Sequence, residues 1–186
     1  MGNDAILVHL ANKYYSKGKA PWLNAAVLKN ILDEANKRKN SIIGKQAPNL
    51  VMQNLDLNPI SMYSINKKYT LVYFWDPKCG HCKEETPTLQ EFYKQNAQKL
   101  DLEVFAVCAD TNMMEMKKYI VDNKMDWINV NGPRSYTHNF HELYNVYSTP
   151  VLFVLNKDKT IIAKQIKSEQ LLDFITQYEI NTKPKE

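Results

Sequence analysis

The sequence predicts an α/β domain, a central sheet flanked by helices, with a short helical segment in front of it. Three observations carry this. Residues 69–75, Tyr-Thr-Leu-Val-Tyr-Phe-Trp, are a nearly continuous run of apolar, aromatic and β-branched side chains, the pattern of a strand covered on both faces. Similar runs recur at 102–108 and 151–155, with stretches of helical spacing between them. At 186 residues, 44% hydrophobic and 24% charged, the chain is long enough for one full core and a small appendage.

Along the chain, Leu7, Leu10, Ala11 and Tyr14 recur at helical spacing until Ser16-Lys17-Gly18-Lys19 breaks the pattern. Pro21 is placed as the first residue of a second helix, in which Leu23, Val27, Ile31 and Leu32 form an apolar stripe before Asn40. Residues 1–43 thus read as a helical segment whose apolar face is too small to stand alone, and residues 44–186 as the main domain. Within that domain, residues 49–65 alternate around a turn signal at Asn58-Pro59, a β-hairpin. The strand at 69–75 is followed by a helix over 79–98, a strand at 102–108 and a helix over 112–123. This βαβα order implies parallel strands joined by right-handed crossovers. A short strand at 127–130, a helical turn at 140–144, a buried strand at 151–155, a turn at 156–159 and a strand at 160–165 come next. A final helix runs to about residue 178, with Ser168 as its N-cap.

Composition removes several classes of function. The 24 basic and 20 acidic side chains are interspersed, and the one dense basic run, Lys37-Arg38-Lys39, stands where a helix ends and complements its dipole, so nucleic-acid binding is not expected. No stretch reaches the ~18–20 apolar residues of a membrane span. The N-terminus lacks the cationic and apolar regions of a signal peptide, and its start at Met1-Gly2 followed at once by helical sequence fits a chain whose export signal has been removed. The chain holds three cysteines, too few for a disulfide framework; Cys79 and Cys82 lie close together and Cys108 stands apart.

The chemistry concentrates in Phe74-Trp75-Asp76-Pro77-Lys78-Cys79-Gly80-His81-Cys82. Pro77 stops the strand, and Cys79 arrives at the N-terminus of the next helix, where unpaired amides and the positive end of the dipole favour a thiolate. The Cys79 thiol is therefore expected below its ordinary pKa range, with Lys78, Lys83 and His81 pushing the same way. Cys82 follows almost one turn later, so both sulfurs point to one side within reach of a disulfide. This is a reversible dithiol–disulfide couple with Cys79 as nucleophile and Cys82 as resolving thiol. Gly80 lets a partner backbone approach, and His81 stabilises the reduced, thiolate form and so makes the disulfide more oxidising.

The stretch resembles the active site of the thioredoxin superfamily, Trp-x-x-x-Cys-x-x-Cys, and within it the extracytoplasmic bacterial thiol–disulfide interchange proteins related to cytochrome c maturation factors. Pro87 resembles the proline that kinks the family's active-site helix, Thr149-Pro150 its cis-proline, and Gly44-Lys45-Gln46-Ala47-Pro48-Asn49 the opening motif of this branch. The likeness spans about residues 44–178. It implies a thioredoxin fold, a central mixed sheet flanked by helices, with an N-terminal β-hairpin extension and the helical hairpin before it. It implies a cis Thr149-Pro150 bond beside the cysteines, offering backbone groups to an incoming chain, with Trp75 as a further substrate-binding residue. It places Glu85 as an acid beneath the cysteine pair, able to relay the Cys82 proton; a solvated glutamate on an exposed face is the alternative. It further implies protein thiol or disulfide substrates, an upstream redox partner, no cofactor beyond the Cys79–Cys82 disulfide, and residence in the periplasm or otherwise outside the cytoplasm. The pair Gly80-His81 is that of protein disulfide isomerases, which leaves the redox direction open and places the expected potential between about −270 and −120 mV.

Other readings are weaker. A zinc site recruiting His81, His138 or His141 lacks a second C-x-x-C or C-x-x-H pair. Cys108, inside an apolar strand, reads as a small core residue. A thiol peroxidase lacks its Thr-x-x-Cys signature, since position 76 is Asp. A redox-inert binding module with a static Cys79–Cys82 staple is the rival from another class.

Overall fold

A computed structural model describes residues 3–182. Its helical front consists of α1 (Asp4–Lys13) and α2 (Ala25–Arg38). Helix α2 starts four residues later than the sequence suggests. Pro21 lies in a turn, and Asn24 caps the helix by accepting the Val27 amide at 2.9 Å, a stronger start signal than a proline alone. The expected stripe is only partly covered, with Val27 exposed. The buried seam is Ala35 against Val8, Ala11 and Ile42, because α1 spans only one end of α2.

Burying such a seam supplies about 1.5–3 kcal/mol per large aliphatic side chain, against about 1–2 kcal/mol for ordering each residue's backbone. The segment therefore depends on the main domain. Asp4 is shared between Arg38, at 3.2 Å, and Lys164 on the sheet edge, and both Asp4 and Lys164 are largely buried. The Gly44 and Ala47 amides donate to the Ile161 and Lys159 carbonyls, each at 2.8 Å.

The main body is a seven-stranded sheet in the order β2-β1-β5-β4-β3-β6-β7. Strands β1 (Val51–Asn54) and β2 (Pro59–Ser61) form the hairpin; the Asn54 side chain holds its turn by accepting the Asp56 and Asn58 amides, and Pro59 opens β2 instead of turning. The central strand β3 (Tyr69–Trp75) is buried at every residue. It is followed by α3 (Gly80–Asn96), β4 (Leu102–Cys108) and α4 (Met113–Asp122), with β4 parallel to β3.

Strand β5 (Ile128–Ser135) is twice as long as its apolar start suggests. Its first half runs parallel to β4, while residues from Val130 onward pair antiparallel with β1, so backbone partners carry a polar Asn-Gly-Pro-Arg-Ser sequence as strand. Gly132 is needed there, since a Cβ would fall 2.5 Å from the ring of Phe140. Helix α5 (Phe140–Tyr144) leads to β6 (Val151–Leu155), antiparallel to β3, and β7 (Ile161–Lys164) closes the edge.

Helix α6 (Leu171–Thr182) is entered through a 3₁₀ turn, Ser168–Gln170, so Ser168 is not the N-cap; the Lys167 amide donates to Gln170 instead, and the Ser168 amide is committed elsewhere. Alternate β3 residues divide the core. Leu71, Tyr73 and Trp75 meet α3, α4 and α6, while Val72 and Phe74 meet α5 and the segment around β1. Lys159, which reads as a solvated turn residue, is buried and donates to the Ile65 carbonyl at 2.7 Å and Thr70 Oγ1 at 2.9 Å.

Candidate active site

The site lies at the carboxyl end of β3, where the chain leaves the sheet and α3 begins. Asp76 turns the chain by accepting the Lys78 amide at 2.7 Å, and Cys79 itself is the N-cap of α3. The Cys82 N–H donates to Cys79 Sγ at 3.3 Å, so a sulfur fills the position that Ser or Asp commonly takes. Cys79, Cys82 and Cys108 carry free thiols; Cys79 is partly exposed and the other two are buried.

Environment separates the two neighbouring sulfurs. Burial works against the Cys79 anion, but hydrogen bonds from the Cys82 and Thr149 side chains and from the Cys82 and His81 amides outweigh it, and its pKa falls below the ordinary value. For Cys82, burial dominates and the thiol is pushed up to about 12. The cationic side chains have a smaller part than the sequence suggests. Lys78 is bound to Asp110 at 2.9 Å and Glu115 at 3.1 Å, Lys83 is exposed, and the exposed His81 ring faces Glu84 at 3.7 Å. His81 contributes its backbone amide instead.

Across from α3, the Thr149-Pro150 peptide bond is cis, and the Thr149 carbonyl accepts the Cys79 thiol at 3.1 Å. Pro150 lines a groove with Tyr73, His81, Glu85, Ile166 and Lys167. A Cβ on Gly80 would meet no atom within 4 Å, so packing leaves open space beside the cysteines. Cys79, Cys82, Thr149 and Pro150 are thus brought together.

Trp75 is not at this surface: it is fully buried, stacked on Tyr119 with ring centroids 4.8 Å apart, and forms part of the floor under the site instead of a face that a partner meets. Glu85 is half-buried in the groove wall, and its Oε1 accepts the Ser168 amide at 2.6 Å. It is neither wholly sequestered nor free on an exposed face.

Cys108 sits in register with Trp75 on β4, its thiol pushed up to about 12 by burial. Among the described residues, no three His, Cys, Asp or Glu side chains converge on a metal-sized site. His138 pairs with Glu142 at 2.7 Å, and His141 Nδ1 meets the Val146 carbonyl.

Three hydroxyls behind Cys82 escaped the sequence reading: Tyr73, Thr86 and Tyr119 join in a buried hydrogen-bonded group. Spacing held part of the signal. Thr86 falls four residues after Cys82 on the same helical face, and Tyr73 shares a strand face with Trp75. Tyr119 comes from a separate element, and no local pattern announces it.

Comparison with known proteins agrees with this geometry. Residues 43–164 match the AhpC/TSA family. The thiol-disulfide oxidoreductase ResA of Bacillus thuringiensis subsp. konkukian is 28% identical over 145 residues, 76% of this chain and 79% of that protein. A crystal structure of a domain of a possible thiol-disulfide isomerase from Cytophaga hutchinsonii is 41% identical, with a TM-score of 0.72, covering 77% of this chain and 97% of that one. A thioredoxin-like protein from Bacteroides caccae, 20% identical, superimposes with a TM-score of 0.75 over 94% of this chain and 70% of its own, a likeness of fold.

Proposed function

The chain belongs to the AhpC/TSA family, and on that premise we propose how it works: it is a thiol–disulfide oxidoreductase that exchanges disulfides with other proteins through Cys79 and Cys82. The observation that carries the reading is the contrast between the two sulfurs. One is a partly exposed helix cap whose pKa is lowered, and the other, three residues on, is buried with its thiol pushed up to about 12. A nucleophile needs the first environment; a thiol that stays protonated until an intermediate forms needs the second.

In the reducing direction, the Cys79 thiolate attacks one sulfur of a substrate disulfide. That S–S bond breaks, the other substrate sulfur leaves as a thiolate and takes up a proton, and a mixed disulfide remains. Cys82 then loses its proton and attacks Cys79 Sγ. The Cys79–Cys82 bond forms, the second substrate thiol is released, and two electrons have passed from the enzyme to the substrate. A partner dithiol restores the pair; run backwards, the same steps oxidise a substrate.

Cys82 needs a base for its step. Glu85, one turn further along α3 and held by the Ser168 amide, fills that role in this reading. The Thr149 and Pro150 backbone beside Cys79 receives the substrate chain in extended form, and Gly80 leaves room for it. The substrates are proteins bearing exposed thiols or disulfides, and the working compartment lies outside the cytoplasm. The likeness to extracytoplasmic interchange proteins supports that location; labelling of the thiols in intact cells by a membrane-impermeant reagent tests it.

Insulin reduction by dithiothreitol tests the activity. The native protein is expected to accelerate the appearance of turbidity and Cys79→Ser to abolish the acceleration. Equal rates for the two proteins would mean an inert binding module.

A further inference from the structure

We propose that Tyr119 is a positioning residue for disulfide exchange, holding the first turn of α3 through a buried clasp of three hydroxyls; the inference rests on the redox reading above. Its O–H donates to the Cys82 carbonyl at 3.0 Å and approaches Thr86 Oγ1 at 3.2 Å, and Thr86 Oγ1 shares a further hydrogen bond of 2.9 Å with the Tyr73 hydroxyl. The clasp ties α3 to β3 on one side and to α4 on the other. The Tyr119 ring is itself fixed, stacked on the fully buried Trp75 with an interplanar angle of 28°.

The first turn needs such a hold. Pro87 lies inside α3 and has no N–H, so the Lys83 carbonyl loses the donor four residues ahead, and the ladder is one bond short just after the turn that carries the cysteines. Tyr119 makes up for that weakness from outside the helix, at the carbonyl of Cys82. The same residue's amide is aimed at Cys79 Sγ. If the turn loosens, that amide swings away and the thiolate loses a donor.

Burial, with the Cys82 and Cys79 sulfurs adding to it, holds the Tyr119 phenol protonated above its ordinary range, so it remains a donor while Cys79 titrates. Loss of the clasp makes the Cys79 thiolate scarcer at neutral pH and the disulfide harder to reduce.

The test is Tyr119→Phe, which keeps the ring and removes the hydroxyl. Cys79 alkylation at pH 7 is expected to slow about five- to tenfold, the worth of one hydrogen bond, with the midpoint of its pH profile moved upward. The equilibrium with glutathione should move by the same factor towards the disulfide, and a tenfold change is about 30 mV. Tyr144→Phe is the control: that hydroxyl donates to the Pro48 carbonyl on the opposite face of the sheet, so its loss lowers thermal stability and leaves profile and potential at wild-type values.

A Tyr119→Phe protein with a lowered Tm but an unchanged profile and potential overturns the proposal. If Tyr119→Phe does not fold, Thr86→Val and Thr86→Ser decide. The proposal stands if Val shifts the profile and Ser restores it, and falls if the two behave alike. Failure of the redox reading is separate, because it appears in the wild-type protein as a Cys79 no more reactive than free cysteine.

Discussion

The backbone amide of Cys82 donates to the sulfur of Cys79 across 3.3 Å. One residue of the pair thus helps to make its neighbour an anion while its own sulfur, turned into the core, stays protonated. A helix start gives both results at once: the cap position collects free amides, and the position one turn deeper is shielded from water.

The Cys82 side chain shares in that stabilisation, but the backbone amides remain and a serine at this position keeps a side-chain donor, so most of it should survive loss of the Cys82 sulfur. Cys82→Ser is expected to keep a rapidly alkylated Cys79 and to accumulate a mixed disulfide with substrate. In Cys79→Ser, Cys82 and Cys108 should react slower by on the order of 100-fold. Mass spectrometry after timed alkylation reads both.

The two buried sulfurs make the reduced protein sensitive to alkali. Their folded-state pKa values, each about 12, stand above the ordinary 9.0, so their contribution is complete below pH 9 and is lost as pH rises towards 12. Each sulfur lowers unfolding free energy by about 1.4 kcal/mol per pH unit across that window. Denaturant titrations between pH 8 and 11 check this, and Cys108→Ala should show a shallower fall than wild type.

Glu85→Gln retains an acceptor for the Ser168 amide and removes the base. Mixed-disulfide resolution is expected to slow by roughly 100-fold or more, with Cys79 alkylation unchanged. Single-turnover quenching separates the two steps.

Asp4 fastens the helical front to the sheet edge. Removing one member of a largely buried ion group leaves the others uncompensated, so Asp4→Asn is expected to cost about 3 kcal/mol. Burial opposes the Asp4 anion, but Lys164 and Arg38 outweigh it and hold its pKa below the ordinary 3.8. The stabilisation is therefore present above pH 3.8 and lost as pH falls through the folded value; the difference between wild type and Asp4→Asn in urea denaturation should be constant near neutrality and shrink in acid.

Much of this was legible in the residues themselves. The strand at 69–75 is covered on both faces, so its sequence is apolar throughout and its ends are sharp. Cys79 and Cys82 announce themselves because helix geometry converts their spacing directly into proximity. The second half of β5 was hidden, since Asn131 to Ser135 are held as strand by the partner β1 and not by their own side chains. Lys159 and Trp75 misled for a related reason: a long polar tip and a motif tryptophan both suggest the surface, and tertiary packing buried them. Tyr119 reaches Cys82 from 37 positions away, a distance that no local pattern spans.

The central claim is that one sulfur is selectively acidic. Ultraviolet thiolate absorbance of the fully reduced protein, followed from pH 4 to 11 and repeated for Cys79→Ser, measures it directly. A single thiolate should titrate clearly below pH 9 in the wild type and vanish in the variant, with Cys82 and Cys108 still protonated. A wild-type curve with no thiol titrating below the range of free cysteine would contradict it.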